Sequence, residues 1–333
     1  MSHCFLCRPH GVAALGLLLL GLTARPAAAQ RTYLAVGDSV AFGYQDQAKT
    51  PLPAAPPFST GFAGYAQPYA AYLSTQAGAP VTLVNLGIVG ETTSSLVTAS
   101  AATTSNGALN GNYSLVAPQT QYALLTSKLT ALGGNVSNIT VQVGANDTLA
   151  LASSAAFDHA VDQNDIATQK LLLAGTLANI GANYDLLLGQ IHSLAPAANV
   201  QVLGYYNPYA ALTGTDPISL YLQAVSGPLN QALNAELAQE ALAHGDQFVD
   251  LAGPFVGHES TLTLSGEMIQ TPFGSAPNDH PSTAGYVVIA SRLEAAPAPV
   301  PEASGAISLG LLLLLGAGAP AVVAKRKKSE NRP

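Results

Sequence analysis

The stretch YLAVGDSVAFGY, residues 33–44, joins a short apolar run to Gly-Asp-Ser and then to further small and aromatic residues. An apolar run that ends in a turn is typical of a buried strand in a parallel sheet. Gly, Asp and Ser are common turn formers, so the tripeptide alone does not distinguish a nucleophilic Ser39 from a serine in an ordinary turn. The rest of the chain has to decide between these two interpretations.

Further apolar runs with the length of buried strands recur along the chain. Including the first, they lie at residues 32–36, 81–86, 139–143, 200–203 and 247–249. Helical patterns fall between or after them, at residues 67–74, 121–132, 165–194, 228–243 and 282–293. This alternation predicts an α/β fold, a three-layer α/β/α sandwich with a flavodoxin-like parallel sheet and helices on both faces.

Four polar or small residues occupy equivalent places in this pattern. Ser39 follows the first strand, Gly90 the second and Asn146 the third, while His280 stands just before the last helical pattern. Ligands of parallel α/β sheets bind at the carboxyl ends of the strands. We therefore expect these four residues to converge on one edge of the sheet.

The N-terminus has the features of a secretory signal. Basic residues precede an apolar run, and three alanines then offer a small-residue cleavage site, which predicts a signal peptide over residues 1–29 and a mature chain that starts at Gln30. An uncleaved membrane anchor is the alternative. Both cysteines, Cys4 and Cys7, belong to this segment, so the exported chain contains none and has to be stabilised by its core.

The C-terminus predicts a second membrane signal. A Pro-rich linker (297–305) leads into an apolar transmembrane helix (306–324) and a basic cytoplasmic tail (325–333). These parts resemble the PEP-CTERM sorting signals that an exosortase processes, and Val300–Glu302 match the motif. Ala303 replaces its second proline, so a simple uncleaved anchor remains the alternative.

The exported part is strongly acidic. Residues 30–304 carry five basic and 18 acidic side chains, a net formal charge of 5 − 18 = −13, and without a basic stripe we expect no nucleic-acid partner. Residues 30–296 form one domain by length. The chain has no H-E-x-x-H zinc motif, Walker loop, dinucleotide-binding glycine motif or G-x-S-x-G elbow, and we expect neither a metal nor another cofactor.

Four short blocks together resemble the SGNH, or GDSL, hydrolase family. They are GDSV (37–40), NLGIVGETT (85–93), GAND (144–147) and DHP (279–281), and they occur in the family's order after the expected elements. The resemblance covers the whole exported domain. Each block alone is weak, but the four in order are specific.

The resemblance implies a role for each of the four residues. Ser39 corresponds to the nucleophile and His280 to its base. The backbone N–H groups of Ser39 and Gly90 and the side-chain amide of Asn146 correspond to the donors of an oxyanion hole. In the alternative interpretation the four residues have only structural roles, in turns and helix caps.

The sequence departs from the family at the acid of the triad. Members commonly place an aspartate three residues before the histidine, and Pro277 stands there. Asn278 and Asp279 are the nearer candidates, and we predict Asp279, although a side chain directly before a histidine normally points away from its ring. A main-chain carbonyl that orients the imidazole of His280 is the other possibility.

These observations predict a secreted or envelope-anchored serine hydrolase that cleaves carboxylic esters through an acyl-enzyme. Its partners would be an ester substrate, either a lipid, a small ester or an acylated polysaccharide, together with the membrane and possible sorting machinery. A carbohydrate deacetylase would share this chemistry and differ in its substrate. The alternative from another class is a catalytically inactive SGNH domain that acts as a surface adhesin or matrix protein.

Overall fold

The computed structural model describes residues 31–45, 64–98, 109–113, 119–271 and 274–296. All of them lie within the predicted exported domain. The predicted signal peptide, sorting motif, transmembrane helix and basic tail fall outside the described residues.

A five-stranded parallel sheet forms the centre of the domain, with the strand order β2-β1-β3-β4-β5. Its strands are β1 (Arg31–Gly37), β2 (Val81–Asn85), β3 (Val136–Gln142), β4 (Asn199–Leu203) and β5 (Gln247–Val249). Each coincides with one of the predicted apolar runs. The order is that of flavodoxin-like sheets, so the predicted fold class is confirmed. The order reverses between β1 and β3, and this is the point where such sheets bind ligands.

Eleven α-helices connect or follow the strands in the described part of the chain. They are α1 (Ser39–Phe42), α2 (Ala66–Ala77), α3 (Thr93–Val97), α4 (Gln121–Leu132), α5 (Ala145–Ala152), α6 (Ala155–Asp162), α7 (Ile166–Leu194), α8 (Pro217–His244), α9 (Ala252–Phe255), α10 (Glu259–Leu262) and α11 (Thr283–Ala295). A 3₁₀ turn (Gly133–Asn135) follows α4, and an antiparallel hairpin of β6 (Met268–Thr271) and β7 (Gly274–Pro277) precedes α11.

Two groups of helices cover the two faces of the sheet. Helix α2 packs with α11, and the Tyr69 hydroxyl of α2 donates to the buried Gln201 side chain of β4 at 2.7 Å. Helix α7 packs with α3, α4 and α8, and its Tyr184 hydroxyl donates to the Val143 carbonyl at 2.8 Å. Each tyrosine thus buries its ring against the sheet while its hydroxyl stays hydrogen-bonded, as buried tyrosines require.

Helix α8 begins earlier than the sequence pattern predicted. The prediction placed its start at Pro228. In the structure the helix begins at Pro217, where the Asp216 side chain accepts hydrogen bonds from two first-turn N–H groups. Pro228 lies inside the helix. The true start carries the stronger signal, an aspartate cap followed by proline at the first helical position.

Helix α7 is, in the described part of the chain, the one helix long and apolar enough to cross a membrane. Its inward side belongs to the core of the domain, where Ile180, Tyr184 and Leu188 are fully buried. The core helix of an α/β domain therefore accounts for its composition. The predicted transmembrane helix is a different segment, which lies outside the described residues.

Candidate active site

Ser39 stands at the point where β1 turns into the short helix α1. Asp38 caps this helix, because its Oδ1 atom accepts a hydrogen bond from the Val40 N–H at 2.9 Å. The Asp38 Oδ2 atom accepts a further hydrogen bond from the Tyr205 hydroxyl at 2.5 Å. The turn therefore holds Ser39 at the carboxyl end of β1.

The structure brings His280 onto this serine. The His280 Nε2 atom lies 2.8 Å from Ser39 Oγ, although the two residues are 241 positions apart in the chain. Both are buried, with 6% of His280 and 8% of Ser39 exposed, and the ring of Tyr44 packs edge-on against the imidazole. A serine hydroxyl in hydrogen-bond contact with an imidazole is the arrangement that activates a nucleophile.

Two neighbouring side chains approach the other nitrogen of the ring. The Nδ1 atom of His280 lies 2.8 Å from Oδ1 of Asn278 and 3.1 Å from Oδ1 of Asp279. The expectation that a residue directly before a histidine points away from its ring does not hold here. Both candidates for the orienting group therefore reach the ring, and the structure places a neutral amide slightly closer than the carboxylate.

The orientation of the Asn278 amide follows from a second hydrogen bond. The backbone N–H of His280 donates to Asn278 Oδ1 at 3.1 Å, so this atom has to be the carbonyl oxygen. Asn278 is fully buried, and its Nδ2 atom has no hydrogen-bond partner in the described part of the chain. A buried, unpaired amide nitrogen is costly, and it lies directly beside the catalytic candidates.

The oxyanion-hole candidates Gly90 and Asn146 are connected through one residue. The Asn146 Nδ2 atom donates to the main-chain carbonyl of Glu91 at 2.8 Å. Gly90, directly before Glu91, has a φ of 79°, which glycine adopts without the steric cost that a side chain would add. A second contact joins the Gly90–Glu91 turn to the segment that follows β3: Asp147, next to Asn146, accepts hydrogen bonds from the N–H and the hydroxyl of Thr93 at 2.9 and 2.7 Å.

One cavity opens beside these groups. Ser39, Asn146, Asp279 and His280 all line it, so the structure brings together four of the five predicted site residues. Gly90 is exposed and is not one of the residues that line the cavity.

The sequence analysis did not identify a buried acid beneath the site. Glu91 is fully buried and accepts hydrogen bonds from the Ser95 hydroxyl and, at 3.5 Å, from the Gln121 amide. The Gln121 side chain makes two hydrogen bonds to the backbone of Gly37: its oxygen accepts from the Gly37 N–H at 2.6 Å, and its nitrogen donates to the Gly37 carbonyl at 2.9 Å. Glu91 therefore connects the Asn146 loop to the strand end that carries Ser39. The sequence did contain a sign of this buried acid, because Glu91 is the one charged residue in a glycine-containing turn.

Burial raises the pKa values of the acids around the site. Desolvation raises the pKa of Glu91 from 4.5 to about 7, with hydrogen bonds from Ser95 and Gln121 acting in the opposite direction. Desolvation also raises the pKa of Asp38 to about 7, opposed by its bonds from Tyr205 and Val40. The folded protein thus favours the neutral forms of both acids.

We expect Glu91→Gln to flatten the pH dependence of stability. The unfolded chain releases the Glu91 proton near pH 4.5, whereas the folded chain keeps it to about pH 7, so the free energy of unfolding falls as the pH rises through this window. The loss amounts to about 3 kcal/mol, and glutamine, which mimics the neutral acid, removes it. Urea unfolding of both proteins from pH 4 to 8 measures the effect. Parallel profiles would contradict a neutral Glu91.

Comparisons with known proteins agree with this geometry. The model of the GDSL-like lipase/acylhydrolase family matches residues 35–288, most of the chain. A phospholipase A1 from Streptomyces albidoflavus is similar in structure, with 20% identity, a TM-score of 0.50 and coverage of 81% of this chain and 100% of its own. An extracellular lipase from Streptomyces rimosus has 21% identity, a TM-score of 0.50 and coverage of 80% and 100%.

No curated protein matches the chain. The two structural likenesses support the fold, and the family model includes the Ser39, Asn146 and His280 positions within its match. The chain therefore belongs to the GDSL-like lipase/acylhydrolase family and is an ester hydrolase.

Proposed function

We propose that this ester hydrolase works through an acyl-enzyme on Ser39, with His280 as its base. The observation that carries the proposal is the 2.8 Å contact between His280 Nε2 and Ser39 Oγ inside a buried site that opens into a cavity. A serine hydroxyl is a weak nucleophile at neutral pH unless a base removes its proton during attack.

The reaction takes two steps. Ser39 Oγ attacks the ester carbonyl while its proton passes to His280 Nε2, and the tetrahedral intermediate then expels the alcohol, which takes this proton. Water then attacks the resulting Ser39 ester while one of its protons passes to His280 Nε2; the second tetrahedral intermediate releases the carboxylic acid as His280 returns the proton to Ser39 Oγ. The Ser39 N–H and the second N–H of the Asn146 amide, both on residues that line the cavity, are the donors that we assign to the oxyanion; one such donor contributes about a hundredfold or more in rate. The Gly90 N–H stays a prediction from the family resemblance.

The imidazole has two supports in this proposal. Asn278 Oδ1 accepts the Nδ1 proton, which fixes the tautomer with Nε2 free to act as base. Asp279 is the acid, because its carboxylate at 3.1 Å balances the positive charge that His280 acquires in the transition state. The two tasks that one aspartate usually combines are thus divided between neighbours.

A fluorophosphonate probe should label the purified protein at Ser39. Ser39→Ala should abolish labelling and ester hydrolysis, and His280→Ala should reduce both by about a thousandfold or more, because the pair acts as a unit. Ser291→Ala, an exposed serine on α11, is the matched control and should label like the wild type. A wild-type protein that stays unlabelled would support the inactive surface domain instead.

Replacing the two supports separates their tasks. We expect Asp279→Asn to lower kcat/KM by about 10- to 100-fold, a smaller loss than for a single orienting aspartate, because Asn278 still holds the tautomer. Adding Asn278→Asp to that variant places a carboxylate at the 2.8 Å position and should recover most of the loss. Activity profiles across pH for the three proteins test this. A wild-type profile in Asp279→Asn would remove Asp279 from the site.

We further propose that the domain acts outside the cytoplasm and is anchored to the membrane by residues 306–324. The signal-like N-terminus and the apolar C-terminal segment with its basic tail support this location. The PEP-CTERM resemblance makes an exosortase a possible partner for the tail.

Membrane fractions of cells that express the full chain should contain a protein whose N-terminal sequence begins at Gln30. Ala29→Phe should block this cleavage, since the site needs small residues. Edman sequencing and protease treatment of spheroplasts measure the cleavage and the exposure of the domain. An intact Met1 on a protein confined to the soluble cytoplasm would contradict the proposal.

A further inference from the structure

The cavity beside Ser39 continues as a narrow apolar slot between two helices. Helix α5 forms one wall and α8 the opposite wall, and the whole cavity with its open mouth holds about 700 Å³. We call the part between the helices the acyl slot. Its apolar lining consists of Leu149, Ala152, Leu222, Val225, Leu229 and Leu233.

The two helices run in opposite directions along the slot. At the end next to the site, the Leu233 side chain of α8 lies against Gly144, just before α5 begins with Ala145. At the far end, the Tyr221 hydroxyl of α8 donates to the Ala152 carbonyl, the last residue of α5, at 2.7 Å. The slot therefore starts at the catalytic candidates and reaches Ala152 and Leu222, which line it beside this hydrogen bond.

The spacing of these residues gives the length of the slot. Asn146 and Ala152 are six positions apart on α5, which corresponds to about 9 Å along the helix axis. An extended hydrocarbon chain advances about 1.3 Å per carbon, given C–C bonds of about 1.5 Å at tetrahedral angles. A chain of about seven carbons therefore spans the α5 wall, which is the shorter one: on α8, Leu233 and Tyr221 are twelve positions apart, or about 18 Å.

The walls suit an uncharged chain. The acids and the histidine that line the cavity, Asp38, Asp279 and His280, belong to the catalytic end. Two polar side chains along the walls are engaged within the protein: the Thr148 hydroxyl donates to the Ala145 carbonyl and the Asn230 amide to the Tyr206 carbonyl, at 2.9 and 2.7 Å. A third, the buried Ser226 hydroxyl of α8, has no hydrogen-bond partner in the described part of the chain. Apart from this hydroxyl, a hydrocarbon chain beyond the mouth meets mainly methyl, methylene and ring surfaces.

We propose that the acyl slot binds the acyl chain of the ester, with a preference for chains of about six to eight carbons, and that Ala152 and Tyr221 set the upper limit. The inference rests on the proposed acyl-enzyme at Ser39. Each methylene that enters the slot should raise kcat/KM roughly fourfold, until the chain reaches Ala152. Longer chains have to leave the slot or displace the hydrogen bond between Tyr221 and Ala152.

A series of p-nitrophenyl esters from acetate to palmitate tests the preference. The wild type should be fastest on hexanoate or octanoate and at least tenfold slower on palmitate. Ala152→Leu, which adds bulk at the far end, should lower the ratio of octanoate to butyrate hydrolysis by tenfold or more. Ala150→Leu is the matched control, because Ala150 is an exposed residue of the same helix, and its ratio should equal that of the wild type.

A second variant works in the opposite direction. Tyr221→Phe keeps the ring but removes the bond to the Ala152 carbonyl, so the ratio of laurate to octanoate hydrolysis should rise several-fold. An unchanged ratio in both Ala152→Leu and Tyr221→Phe would overturn the inference. Acetate hydrolysed faster than every longer ester would also overturn it and would favour the deacetylase.

Octyl acetate and ethyl octanoate test whether the acyl chain or the alcohol chain of the ester occupies the slot. If the acyl chain occupies the slot, Ala152→Leu impairs hydrolysis of ethyl octanoate far more than that of octyl acetate; the reverse would place the alcohol there and overturn the inference. Failure of the proposed function has a different signature. A chain-length profile without preference in a protein that still labels at Ser39 refutes only the slot, whereas an unlabelled protein refutes the acyl-enzyme itself.

Discussion

The site depends on the close approach of two backbones at the end of the sheet. The N–H of Asp38 donates to the Gln142 carbonyl at 2.9 Å, where β1 and β3 end side by side. A side chain on Gly37 would place its Cβ 1.9 Å from that carbonyl oxygen, and the φ of Gly37 is 145°, so only glycine fits. Because the chains meet here, the serine turn after β1 and the asparagine helix after β3 share one edge. This is also the point where the strand order reverses.

Buried acids and amides hold the loops at this edge. The exported region has 18 acidic and only five basic side chains, so buried carboxyl groups here have few cations to pair with. Glu91 and Asp38 instead bind hydroxyl and N–H donors, and desolvation raises the pKa of each to about 7. A neutral acid costs far less to bury than an unpaired charge. The acidic composition and the buried hydrogen-bond network thus have one physical explanation.

Order along the chain predicted the sheet and the convergence of the site residues on one edge, whereas the Ser39–His280 pairing was predicted from the family resemblance. Parallel strands end at a common edge, so residues that follow successive strands have to meet there. The hairpin β6–β7 and the early start of α8 were not predicted. The hairpin is short and its pairing is specified by contacts across the chain rather than by periodicity, while the proline inside α8 looked like a helix start. The roles of Glu91 and Gln121 were not predicted either, because a buried polar pair leaves no periodic pattern; the isolated charge of Glu91 was the one signal.

The missing aspartate at position 277 has a structural counterpart. Pro277 ends β7, paired with Met268 of β6, and the Asn278 N–H donates to the Glu267 carbonyl at 2.8 Å. The chain leaves this hairpin in a tight turn, in which Asn278 Oδ1 accepts the His280 N–H two residues on. That turn brings the Asn278 side chain to the ring directly and carries Asp279 near it, while the Tyr206 hydroxyl fixes the Asp279 carbonyl at 2.7 Å. Because Asn278 Oδ1 supplies the acceptor for His280 Nδ1, the imidazole can be oriented without an acid at position 277. That position is occupied by Pro277, the last residue of β7.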